Sequence, residues 1–99
     1  MKLTIFITED DIKQGKKREC LECPIALAVK RATDLEFGEN KLIPHIAPNF
    51  GMLISDEISY RFQLPGEAER FLHEFDHSIR TPRVKPFSVN IYLSEVENR

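Results

Sequence analysis

The sequence predicts an α+β domain: a small antiparallel sheet of about four strands with helices packed on one face. Three observations carry that prediction. Leu3, Ile5 and Ile7 alternate with Lys2, Thr4 and Phe6, the period of two of a strand with one face on a core. Ala68, Phe71, Leu72, Phe75 and Ile79 recur at three- and four-residue spacing, which makes one apolar helical face. Phe87, Val89, Ile91 and Leu93 alternate with Ser88, Asn90 and Tyr92 in a last strand. The order β, α in two pieces, β, β, α, β closes most simply with antiparallel strands, and the split βαββαβ sandwich is one such arrangement.

The first strand ends at Thr8-Glu9-Asp10-Asp11, where a threonine hydroxyl precedes an acid by three residues. That is a capping box, and it predicts a short helix over Glu9 to Gln14 stopped by Gly15. A solvated turn, Lys16-Lys17-Arg18-Glu19, follows. Cys23-Pro24 opens the second helix, because proline in the first turn sacrifices no intrahelical bond. That helix, Ile25 to Ala32, holds only small and apolar residues before Lys30, so it is expected to be largely buried.

Asp34 to Asn40 reads as a loop. Lys41 to Ala47 is extended but interrupted by Pro44, as in an edge strand. Ile58, Tyr60, Phe62 and Leu64 define a clearer strand, with two partners open: Met52 to Ser55 through the turn Asp56-Glu57, or Leu42 to Ile46. Leu64-Pro65-Gly66-Glu67 introduces the amphipathic helix. Residues 1–94 are read as one domain and 95–99 as a polar tail, with fraying expected from Ser94 onward. No internal repeat or second domain is visible.

Composition narrows the function classes. With 41% hydrophobic and 30% charged residues the chain is globular in type, and a formal charge of -2 argues against a dedicated nucleic-acid binder. No stretch reaches membrane-spanning length. The apolar run at the N-terminus is broken by Thr4 and ends in acids, unlike an export signal, so Cys20 and Cys23 are expected as reduced thiols in a cytosol.

Candidate chemistry is sparse. Cys20-x-x-Cys23 before a helix could form a redox pair, since a helix N-terminus stabilises a thiolate. Thioredoxin-like proteins place that motif directly after a strand, whereas here a short helix intervenes. The favoured reading makes Cys23 a cap and Cys20 a small core hydrophobe. A zinc site would join Cys20 and Cys23 to His73 and His77, whose spacing puts both imidazoles on one side of a helix. That side lies opposite the apolar stripe, so two solvated histidines are favoured instead.

His45 has no nucleophile or acid at a recognisable spacing. The serines lack a nucleophile-elbow context, and no glycine pattern builds a phosphate cradle. Glu9, Asp10 and Asp11 are explained by the helix N-terminus they occupy. No catalytic residue and no cofactor is predicted.

Two surfaces remain as binding candidates. Lys16, Lys17 and Arg18, with Lys13 nearby, form the basic cluster, diluted by Glu19 and Glu22. The sheet face away from the helices would carry Phe6, Tyr92 and Arg61 beside Thr4, Asn90 and Gln63. Aromatics and an arginine on a polar face could stack bases. With few basic residues beside them, a protein contact is preferred, including a homodimer.

Ile7-Thr8-x-x-Asp11-Ile12-x-x-Gly15, Cys20-x-x-Cys23-Pro24-Ile25-Ala26-Leu27-Ala28, and then Leu64-Pro65, Phe71, Phe75-Asp76 and Pro86-Phe87 together resemble a family of small uncharacterised proteins of bacteriophages and prophages. The Cys-Pro-Ile-Ala-Leu-Ala run is the most specific part. The resemblance implies action inside a bacterial cell and brings no catalytic residues with it. The expected function is a non-enzymatic accessory protein that binds a host or phage macromolecule. The alternatives are a nucleotide or small-ligand sponge acting against host defence, with Lys16, Lys17, Arg18 or Arg61 on phosphate, and thiol-redox or zinc chemistry at Cys20 and Cys23.

Overall fold

A computed structural model describes residues 1–77 and 84–96. The elements are β1 (Lys2–Ile7), α1 (Glu9–Gln14), α2 (Pro24–Phe37), β2 (Ile43–Ile46), β3 (Phe50–Ile54), β4 (Ser59–Gln63), α3 (Gly66–His77), β5 (Phe87–Tyr92) and β6 (Ser94–Val96). The fold is α+β, with one two-stranded sheet, β1-β5, and one four-stranded sheet, β2-β3-β4-β6. No described helix is long and apolar enough to cross a membrane.

Every ladder among the described residues is antiparallel, and β1 pairs only with β5. The split βαββαβ expectation is corrected in strand order, not in direction: that arrangement seats β1 between the last strand and the hairpin, whereas among the described residues β1 pairs β5 alone and the last strand lies between β1 and β4. The tail is corrected as well. Ser94–Val96 does not fray but pairs with β4, Ser94 opposite Arg61. The last strand thus serves both sheets, β1 with its first half and β4 with its second, changing partner at the buried Leu93. Of the two partners open for β4, the Met52 side is right: β3 pairs β4, and β2 lies one strand further out as an edge.

The sequence boundaries of α1 hold because the capping box forms. Thr8 Oγ1 accepts from the Asp11 amide at 3.2 Å, and the Asp11 carboxylate accepts from the Thr8 amide at 2.9 Å. By contrast, α2 continues to Phe37 where a loop was expected from Asp34. A Lys30–Asp34 ion pair at 2.9 Å adds a turn, and Gly38 at φ 107° and Asn40 at φ 58° supply the left-handed conformations that end it.

The buried faces of all the longer strands and of α2 and α3 meet in one core, with Ile5, Ile25, Leu53, Phe62 and Ile91 at its centre. Phe71 and Phe75 stack at 6.2 Å on the inward face of α3, and Phe71 meets Phe87 at 4.8 Å. Ile79, the last residue of the predicted stripe, lies outside the described residues. The Phe62 ring lies over its cross-strand partner Gly51, where a β-carbon would collide with it. With the helices on the inner side, most described strand positions on the outer side are exposed or half-buried, Ser59 being buried among them.

Candidate binding face

Residue parity along each strand decides what this outer side presents. β1 contributes Lys2, Thr4 and Phe6, and the last strand contributes Asn90, Tyr92 and Ser94. β4 adds Arg61 and Gln63, β3 adds Phe50, Met52 and Ile54, and β2 adds Ile43 and His45. One row of Cα partners crosses the larger sheet as His45, Met52, Arg61 and Ser94. The Arg61 guanidinium sits 4.5 Å from the centre of the Phe50 ring, a cation–π contact that fixes the arginine on the face.

No described outward sheet position is Asp or Glu, although the chain holds 16 acids. The face therefore mixes apolar and neutral polar side chains with a weakly cationic balance, within a net acidic protein. Of the six residues predicted for it, Tyr92 and Arg61 lie at neighbouring register positions of the last strand and β4. Tyr92 precedes Ser94 by two residues, and Ser94 faces Arg61 across the ladder. Phe6 and Tyr92, 63% and 65% exposed, lie at opposite ends of the β1-β5 ladder, paired with Ser88 and Lys2. Four residues of strand separate them, about 13 Å, so they do not form a joint stacking site. The sequence reading missed Ile43, Phe50, Met52 and Ile54. Alternation of Phe50, Met52 and Ile54 against Gly51 and Leu53 was the available signal.

The predicted basic cluster lies elsewhere, in the α1–α2 connection. Lys16 bridges Glu22 at 3.2 Å, and the Arg18 amide donates to Asp76 of α3 at 3.0 Å with Arg18 itself at φ 60°. These residues fasten the connection to its surroundings. They do not converge with Arg61 on one anion site.

Cys23 caps α2, its sulfur accepting from the Ala26 amide at 3.4 Å. It is 2% exposed, and burial pushes its thiol up to about 11, away from the range of a nucleophile at neutral pH. Cys20 is exposed, which corrects its assignment to the core, and its carbonyl accepts from the Ile46 amide at 2.9 Å, covering part of the β2 edge. The cysteines border one hollow with Leu72 and Asp76, whereas His73 and His77 face solvent on α3 with their rings 4.3 Å apart. Among the described residues no group of three or more His, Cys, Asp or Glu side chains could hold a metal.

The α1–α2 region also holds an ion pair with a buried carboxylate. Asp11 is 3% exposed and receives both terminal nitrogens of Arg31 at 2.7 and 2.9 Å. Burial would raise its pKa, but hydrogen bonds from Arg31 and Thr8 outweigh that and hold the carboxyl below its ordinary value.

An open cleft of ≈ 670 Å³ lies at the end of the larger sheet, with Phe37 and Tyr60 in ring contact at 5.7 Å among its walls. Lys41 and His45 share it with Asp56 and Glu57, a mixed-charge rim. No protein-family model, curated protein or solved structure matches the chain.

Proposed function

We propose that this is a small non-enzymatic accessory protein, of the phage or prophage kind and acting in the bacterial cytoplasm, whose outer sheet face docks a protein partner with an acidic, apolar surface. The observation that carries this reading is the uncovered face with aromatic and aliphatic side chains, two cations at Lys2 and Arg61, and no carboxylate among its described positions. Such a face has unbalanced charge and unsatisfied apolar area, and an acidic apolar surface complements both. Face-to-face association of two copies brings like charges together, so charge disfavours the sheet face as a self-association surface. Two cations are also too few for a nucleic-acid track, which gains affinity from many phosphate contacts. A phosphate-binding sponge is disfavoured by the separation of Arg61 from the Lys16–Arg18 connection.

The test is an NMR titration with a synthetic peptide alternating glutamate with leucine and phenylalanine, run against a single-stranded oligothymidylate of similar length. Amide shifts centred on Met52, Arg61 and Tyr92, weakened by salt and abolished by Arg61→Glu, support the reading. Shifts mapping to another surface, or tighter binding of the oligonucleotide, overturn it.

A further inference from the structure

The free edge of β1 is a separate feature. β1 is paired on one side only among the described residues. Met1 and Leu93 exchange backbone hydrogen bonds, which sets the phase of the ladder: Leu3, Ile5 and Ile7 bond toward β5, and Lys2, Thr4 and Phe6 point their N–H and C=O groups away from it. Arg31 donates to the Phe6 carbonyl at 2.8 Å, leaving that oxygen a second lone pair. A groove of ≈ 350 Å³ runs between this edge and α2. On its far wall Leu35 is 86% exposed, although it is a large apolar side chain on a helix.

We propose that a second copy of this chain fills the groove, the two β1 strands pairing antiparallel about a two-fold axis at Thr4. Such an axis makes Thr4 face Thr4 and Lys2 face Phe6 of the second copy, so the outward-pointing backbone groups meet as bonded pairs. Leu3 then faces Ile5 of the second copy on the core side, extending both cores across the seam. The Lys2 stem crosses the exposed Phe6 ring of the second copy, a cation–aromatic pair. Its ammonium points toward the exposed acids Glu9 and Asp10 that follow that phenylalanine. Lys2 is thus positioned to be complementary to the start of α1 in the other copy. The same axis brings the two α2 helices alongside the seam and covers Leu35. The sheet becomes continuous through both copies, and its outer face doubles.

Sedimentation equilibrium of the full chain from low micromolar to near-millimolar concentration tests this, with Thr4→Pro and Leu35→Glu. The Thr4 amide points outward, so proline removes an edge donor and no backbone bond to β5, although it also removes the bond of the Thr4 hydroxyl to Asn90 at 2.7 Å. The expected result is a wild-type dimer, with each variant dissociating at least tenfold more readily. Leu35 is exposed, so Leu35→Glu decides the matter even should Thr4→Pro fail to fold. A wild-type chain that stays monomeric throughout, or a dimer that Leu35→Glu leaves intact, overturns the proposal. The readout is independent of any peptide binding at the sheet face.

Discussion

The α1–α2 segment and the outer face of the larger sheet use similar residue types to opposite ends. In the first, the buried or chemically suggestive side chains have structural tasks. Thr8 caps α1, Asp11 is held by Arg31, Cys23 caps α2, and Gly15 lies against the Pro24 ring, where a β-carbon would approach to 2.6 Å. On the sheet face, Arg61 rests on the Phe50 ring, and Ile43 and Ile54 stay exposed. The lesson is that chemically suggestive residues need not mark the site. The motif Cys20-x-x-Cys23-Pro24 is accounted for by a cap, a turn and a strand-edge bond, and the plain outer row is what remains without a structural task.

The sharpest way to break that contrast is Arg31→Met. It removes the partner of a buried carboxylate and should cost about 1–3 kcal/mol, less than a fully buried pair because Arg31 is half exposed. Chemical denaturation measures this. The pH dependence identifies the cause. A carboxyl whose folded pKa lies below its unfolded value contributes stability above the unfolded value, and loses it as pH falls through the folded one. Wild-type stability should therefore decline below about pH 4, and Asp11→Asn should flatten that decline. An unchanged acid limb would remove the ion pair from its place as the segment's anchor.

Thr8→Ala comes next, with an expected loss of about 1 kcal/mol from the missing cap. Its effect tests how well local sequence reports local structure. The capping box was legible because all of its parts lie within four residues, and the same holds for Pro24 in the first turn of α2. The strand β1 was legible for a related reason, since alternation needs no knowledge of the partner. What the sequence hid depends on contacts between distant segments. Ser94–Val96 looks like a polar tail because its partner, Ser59–Arg61, is more than thirty residues away and supplies the order. Helix α2 outran its predicted end because Lys30, Asp34 and Asn40 close a hydrogen-bonded cluster that residue type alone does not announce. The face itself was half legible: Tyr92 and Arg61 were assigned to it, but β3 was read as beginning too late to show Phe50 in register with Met52 and Ile54.

The smallest expected stability effect is the most informative about function. Arg61→Gln removes the outer charge and its aromatic contact, and it leaves every described backbone hydrogen bond in β4 in place. An exposed cation–π contact is worth about 0.5–1 kcal/mol, and glutamine can lie along the same ring, so the net loss should stay near 0.5 kcal/mol or below. A thermal melt of this variant should overlay the wild type within a few degrees. A loss comparable to that of Arg31→Met would mean that Arg61 is a structural element like those of the α1–α2 segment. The two regions would then not differ in kind, and the outer face would have no claim to being held in reserve for a partner.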